Sequence, residues 1–251
     1  MKMLLVDLSN STSKFALSTP KRLLSRRSLP TASLSQAALT DLLEGWDFQN
    51  VVIASVVPKA TQVLTKFFKA AKIPLLSINA SIDLGFKINY PNPSHIGADR
   101  LANVAGTIAL YKTPAIVVDF GTAITFDIID AKGAYLGGVI APGLTTSAEA
   151  LHLRTALLPL TKPTPIRRAL GKSTLTAIHS GLLLGAQGLV REVVDRVTQE
   201  NFSGEHPTII ATGGDAKLVA QGTNLFDAVN PELTLEGLRE IGKLVNSNEL
   251  N

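Results

Sequence analysis

Two carboxylates occupy matching places in the sequence. Asp7 ends the apolar run of LLVDLSNSTSKFAL, residues 4–17, and is followed by Ser9, Asn10, Ser11, Thr12 and Ser13. Asp119 ends the run of AIVVDFGTAITFDII, residues 115–129, and is followed by Gly121 and Thr122. Both copies read as apolar strand, Asp, short turn with a hydroxyl, second apolar strand. Such a turn presents backbone N–H groups and hydroxyls to phosphate oxygens, and its carboxylate can hold a cation that offsets phosphate charge. One copy alone reads more simply as an Asp ending a strand at a turn. The repetition favours the shared-site reading, in which Asp7 and Asp119 face one polyphosphate ligand from two domains.

The elements that must position these residues repeat as well. Strands are predicted over residues 2–8, 12–18 and 21–28, then a helix near 34–45, a buried strand at 50–57, a helix at 58–72 and a short strand at 74–78. A helix over 98–111 follows the Pro91 and Pro93 turn. The second half opens with strands at 114–119, 122–129 and 134–141, then a long helix at 173–200, a strand at 207–212, a helix after Gly214 and a last helix at 234–246. Each half is a strand meander followed by helices and buried strands. The expected domains are 1–112 and 113–251, an α/β duplication.

Composition bounds the possibilities. A chain of 251 residues, 45% hydrophobic and 18% charged, can bury a large core. The few apolar residues between Lys2 and Asp7 do not make the apolar region of a secretory signal, and no run is long enough to cross a bilayer. With zero cysteines, disulfides, Cys-ligated metal and a Cys nucleophile are excluded, and the expected location is cytoplasmic. The net charge of +4 draws partly on Lys21, Arg22, Arg26 and Arg27. With no interleaved aromatics to stack on bases, that run reads as a solvated strand edge that discourages aggregation, so neither nucleic acid nor membrane is an expected partner.

The stretches YPNPSHIGADRLANVAG, DFGTAITFDIID, YLGGVIAPGL, LRTALLPL, GKSTLTAIHSGLLLG and ATGGDA, in this order over nearly the whole chain, closely resemble the type III pantothenate kinases. The resemblance implies the duplicated ribonuclease-H-like fold of the actin, sugar-kinase and Hsp70 superfamily, with an interdomain cleft. It also implies ATP-dependent phosphorylation of the primary hydroxyl of pantothenate to 4'-phosphopantothenate, the first step toward coenzyme A.

Carried over by position, the resemblance makes Asp7 to Lys14 the phosphate-binding loop, with Ser9, Asn10, Ser11 and Lys14 toward ATP and Asp7 on the Mg²⁺ side. Gly97, Ala98, Asp99 and Arg100 form the family's GADR motif, in which Asp99 is the general base and Arg100 clamps the pantothenate carboxylate. Tyr90 matches a substrate contact, Asp119 a ligand for a monovalent cation (K⁺ or NH₄⁺), and Thr122 an ATP contact. Thr174 matches a substrate contact that the partner subunit of a homodimer offers. These residue types suit the chemistry. Phosphoryl transfer to an alcohol needs positioning, charge neutralisation and a carboxylate to accept the hydroxyl proton. Arginine grips a carboxylate bidentately where lysine cannot. Taken without the motif, Asp99 and Arg100 read as an ion pair at a helix N-terminus, where the dipole favours Asp.

Other motifs carry less. Asp119-Phe120-Gly121 imitates the metal-binding triplet of protein kinases without an HRD catalytic loop, and Gly171-Lys172-Ser173-Thr174 imitates a Walker A end with Ile166 in place of the earlier glycine. His95, His152, His179 and His206 lack zinc-site spacing and read as structural. Gly181, Gly185 and Gly188 read as a close-packing stripe against another helix, in this chain or across a dimer interface. The main departure from the family is Ser9, where glycine is usual and lets backbone approach phosphate; it predicts a weaker grip on ATP. His95 stands where the family often has an acidic residue. The alternatives are a family member that binds a ligand or partner with little kinase activity, and another small-molecule kinase of the superfamily. Retention of Tyr90, Asp99, Arg100, Asp119, Thr122 and Thr174 favours the active kinase.

Overall fold

A computed structural model describes residues 2–248. The chain divides into two units, one comprising residues 1–110 with the segment from 233 onward, the other residues 111–232.

The first unit opens with β1 (Met3–Leu8), β2 (Thr12–Ser18) and β3 (Leu23–Pro30), and continues with α1 (Gln36–Leu43), β4 (Asn50–Ser55), α2 (Pro58–Ala70), β5 (Leu75–Ser77) and α3 (Ala98–Leu110). Its sheet runs β3-β2-β1-β4-β5, antiparallel through the meander and parallel from β1 onward. All six residues of β1 are buried, because a central strand covered on both faces needs a continuous apolar run rather than alternation. α2 begins with Pro58, which suits a first-turn position, and buries Ala60, Leu64 and Phe68 at a four-residue spacing. These side chains pack with Leu4, Val6, Phe15 and Ile53. Of the basic run, Arg26 and Arg27 lie on the edge strand β3, while Lys21 and Arg22 fall in the turn before it. On that strand Arg27 stacks over Trp46 at 4.7 Å and donates to the backbone carbonyls of Leu42 and Glu44.

The second unit repeats the plan with β6 (Ala115–Phe120), β7 (Ala123–Ile129), β8 (Tyr135–Pro142), α4 (Leu144–Arg154), α5 (Thr174–Asn201), β9 (Thr208–Thr212), α6 (Ala216–Ala220) and β10 (Ala228–Val229). Its sheet order, β8-β7-β6-β9-β10, has the same antiparallel and parallel pairings. Each meander also shifts register near the end of its second strand, at Leu17/Ser18 and at Ile128/Ile129. The duplication read in the sequence is therefore a duplication of topology, strand for strand. Ser173 caps α5 in a reciprocal box with Thr176, which explains a sharp helix start after a long irregular stretch. The sequence reading missed α4, which buries only Leu144 and Ala148 and so carries almost no periodic apolar signal.

The last helix, α7 (Leu233–Asn248), belongs to the first unit rather than to the second half, where the division at residue 112 placed it. Its buried Leu233, Leu235, Leu238 and Ile241 face α3, β1 and β4. Leu101 through Thr107 are all buried, so α3 is an interior helix that needs this cover.

Candidate functional site

The loop after β1 is tied down from both sides. Asp7, 2% exposed, pairs across the sheet with Lys14, whose Nζ lies 3.5 Å from Asp7 Oδ2. Ser9 Oγ donates to Asp7 Oδ1 at 2.9 Å. Burial pushes the Asp7 carboxyl above its ordinary range, while the Lys14 charge and the hydrogen bonds from Ser9 and Lys14 pull it back. Thr31 closes the loop from behind: its hydroxyl donates to the Ser9 carbonyl at 2.7 Å and shares a 2.9 Å hydrogen bond with Ser13, and its N–H donates to the Ser11 carbonyl at 3.1 Å. No motif pointed to Thr31; its burial beside a strand end is visible only in the fold. Among the described non-glycine residues, positive φ occurs at Lys72 and Ser203, so the Ser9 backbone carries no left-handed strain. Asn10 and Ser11 lie exposed at the tip of the turn.

Asp99 is the second residue of α3, and its Oδ1 accepts the Arg100 backbone N–H at 2.8 Å. A Cβ on Gly97 would lie 2.5 Å from Asp99 Oδ1, so the glycine leaves the carboxylate its place. Burial raises the Asp99 carboxyl; the Arg100 hydrogen bond opposes this and the Asp7 charge adds to it. A carboxyl at a helix N-terminus, raised by burial and by the charge of a second carboxylate that itself lies near a cross-strand lysine, forms a setting that accepts a proton and takes up positive charge. Ala98 is buried, Arg100 half-buried, and Tyr90, in the segment leading to this helix, is 39% exposed. His95 sits exposed in a single 3₁₀ turn before the motif.

The second unit builds its own turn. Asp119 holds the same penultimate position in β6 that Asp7 holds in β1. The Gly121–Thr122 turn is closed by the Gly121 N–H to the Ala123 carbonyl, and the Thr122 carbonyl accepts from the Gly143 N–H at 3.0 Å and the Thr146 hydroxyl at 2.6 Å. A Cβ on Gly143 would overlap the Gly121 carbonyl oxygen, and one on Gly213, whose φ is +92°, would overlap Asp119 Oδ1. Both glycines are thus required by close approach, and Gly213 by conformation as well. Thr212, paired in register with Asp119, keeps its hydroxyl buried without a hydrogen-bond partner. Asp215, in the ATGGDA stretch, was given no role in the sequence; its N–H donates to the Phe120 carbonyl at 3.1 Å, and burial raises its carboxyl.

Thr174 begins α5 directly after the Ser173 cap. Beside it lies a cavity of about 530 Å³ lined by Arg167, Arg168, Lys172, Ser173, Thr176 and His179, among others. The His179 ring is held between the hydroxyls of Thr161 at 2.7 Å and Thr164 at 3.0 Å, a structural role as expected. Gly171, the glycine of the Walker-like stretch, has a packing reason: a Cβ there would lie 2.6 Å from Ala177 Cα. A Cβ on Gly181, Gly185 or Gly188 would meet nothing within 4 Å among the described residues, so that stripe has room beside it rather than the close helix contact expected within the chain.

Asp7, Ser9 and Lys14 are thus brought together by contact and joined by Asp99 through its charge, while Asp119 and Thr122 make the matching turn of the other unit. Among the described residues no group of three or more His, Cys, Asp or Glu side chains gathers as a metal site, and no helix is long and apolar enough to cross a membrane.

Comparison with known proteins places this architecture. The chain is similar to the hexokinase of the ROK group from Thermus thermophilus, with a TM-score of 0.51 and 15% identity over 99% of this chain and all of that one, a likeness of fold. It is 44% identical over 240 residues to a type III pantothenate kinase of Akkermansia muciniphila, covering 95% of this chain and 97% of the relative. Identity to the type III pantothenate kinase of Methylacidiphilum infernorum is 37% over 243 residues, covering 97% of this chain and 89% of the relative. Residues 3–196 match the family model for type III pantothenate kinases. With the duplicated ribonuclease-H-like topology, the Asp7 loop and the GADR helix start all in place, the chain belongs to the type III pantothenate kinase family.

Proposed function

We propose that the chain transfers the γ-phosphoryl group of ATP to the primary hydroxyl of pantothenate, giving 4'-phosphopantothenate and ADP. The observation that carries this reading is Asp99, seated at the start of a buried helix with room made by Gly97 and within reach of the Asp7 charge. Asp99 accepts the hydroxyl proton as the new oxygen–phosphorus bond forms, and Arg100 binds the pantothenate carboxylate. Tyr90, Gly97 and Ala98 complete that side of the substrate. Ser9, Asn10, Ser11 and Lys14 hold the phosphates, with Thr122 as a further ATP contact.

Mg²⁺ fits the donors present. It prefers oxygen ligands, keeps several waters and is carried largely by nucleotide phosphates. Asp7, with its two oxygens engaged by Ser9 and Lys14, suits contact through the ion's water shell. The ion supplies neutralisation of phosphate charge when bound. At Asp119, the unpaired Thr212 hydroxyl and the turn carbonyls offer neutral oxygens of the kind that suits a monovalent cation. Exchange of K⁺ for Na⁺ is expected to lower the rate, and an unchanged rate would count against this role of Asp119.

A homodimer belongs to the same reading, with Thr174 offered to the partner's substrate. It is supported by the uncovered glycine stripe of α5 and by Ile140, Leu153, Leu157, Leu160 and Leu170, which are 60–90% exposed. So does a cytoplasmic location, in keeping with a chain that has no cysteine. The test is a coupled kinase assay with and without pantothenate: ADP release that depends on pantothenate supports the function, and its absence with well-folded protein removes it.

A further inference from the structure

The α3–α7 crossing is made by backbone rather than by side chains. A Cβ on Gly106 would lie 2.7 Å from the Leu233 carbonyl oxygen and 3.1 Å from the Gly237 nitrogen. A Cβ on Gly237 would overlap the Ala102 carbonyl oxygen and lie 3.0 Å from the Gly106 nitrogen. Each glycine therefore sits against one hydrogen-bonded turn of the other helix, Leu233 to Gly237 on one side and Ala102 to Gly106 on the other. Beside this contact Thr234 Oγ1 donates to Asn103 Oδ1 at 2.8 Å, with both residues buried. A packed interior transmits such a contact rather than absorbing it. Farther along α7, Gly242 lies against the sheet, where a Cβ would be 2.9 Å from Val52 Cγ2 and 3.1 Å from Met3 Sδ. The one helix thus bears at once on α3, whose first turn carries Asp99, and on the strand β1 that carries Asp7.

We propose that Thr234 and Gly237 of the last helix are positioning residues for Asp99, fixing the depth and rotation of α3 against β1 so that the base is held where the hydroxyl is presented. This rests on the kinase reading above. It also gives a catalytic consequence to a segment that lies beyond residues 3–196, where the family match ends. Sub-ångström placement matters because a displacement of about 1 Å can cost about a hundredfold in rate.

The test uses the full-length enzyme with Thr234→Val, Thr234→Ser and Gly237→Ala, and with Thr234→Val combined with Asp99→Asn. Thr234→Val keeps the side-chain shape and removes the donor to Asn103. It is expected to lower kcat about tenfold with both KM values within about twofold, and Thr234→Ser to restore kcat. On the Asp99→Asn background the Val substitution should have no further effect on the residual turnover, because the group it positions is gone. Gly237→Ala is expected to lose about a hundredfold in kcat; if it does not fold, the Val and Ser pair decides. Wild-type kcat in Thr234→Val, a loss confined to KM, a loss that Ser does not restore, or an undiminished penalty on the Asp99→Asn background would each overturn the proposal. A wild-type enzyme inactive on pantothenate, or a fully active Asp99→Asn, would instead remove the parent reading. Thr234→Val without effect beside an active wild type and an inactive Asp99→Asn removes this inference alone.

Discussion

Ser9 stands where the family resemblance implies a glycine, and its surroundings show how a side chain fits there. Serine needs no left-handed backbone here, and its hydroxyl binds the Asp7 carboxylate. What remains of the glycine argument is close approach, since a Cβ stands where backbone alone could meet phosphate. Ser9→Gly is therefore expected to lower the KM for ATP about threefold, on the order of 0.6 kcal/mol, in initial-rate measurements, whereas Ser9→Ala should not lower it. Equal KM values in all three proteins would show that the loop already accommodates the side chain. Asp99 supports a second prediction. Its carboxyl is raised chiefly by burial, so ionising it costs folding free energy. The cost is absent below the unfolded value, about pH 4, grows as pH rises through the raised value, and is complete above it. Asparagine keeps an oxygen to accept the Arg100 N–H. Asp99→Asn should therefore melt at a higher temperature than wild type at pH 7 to 8, with the gain lost below about pH 4. A lower melting temperature at neutral pH would contradict this.

At the scale of elements, most of the architecture was legible because strands announce themselves locally. The apolar runs ending at Asp7 and Asp119 gave both meanders, and the Pro91 and Pro93 turn gave the start of α3. What could not be read is set by contacts distant in sequence. α4 buries too few residues to leave a period, Thr31 gains its role only when its backbone lies beside the Ser9 loop, and α7 follows the second unit in sequence but packs in the first. A signal for α7 was present in its small residues, Gly237 and Gly242, which make sense only as close-approach positions. The helix is further fixed by Arg239, 7% exposed, which pairs with Glu236 at 2.7 Å and Glu240 at 2.8 Å and donates to the Lys21 carbonyl at 3.2 Å. At Glu240 burial acts upward, but hydrogen bonds from Lys243 and Arg239 hold the carboxyl below its usual range. Removing one member of such a group leaves the others uncompensated. Arg239→Met is expected to destabilise the protein by about 3 kcal/mol in urea denaturation, and a change under about 0.5 kcal/mol would show that the α7 anchor is apolar alone.

At the scale of the whole molecule, two units of one topology have come to carry different chemistry. The first joins a cross-strand lysine, the Asp7 carboxylate, the Asp99 carboxyl that its charge helps raise, and the arginine that follows Asp99. The second keeps the turn and the aspartate, replaces the serines with Gly121 and Thr122, and leaves a buried hydroxyl at Thr212. In the proposed reaction Asp99 serves as the base for phosphorylation of pantothenate. The most direct measurement is the steady-state rate of 4'-phosphopantothenate formation by the wild-type enzyme and by Asp99→Asn at saturating ATP and pantothenate. A robust wild-type rate that falls by about a hundredfold or more in the variant, with the fold retained, is the predicted result; equal rates in the two proteins would contradict it.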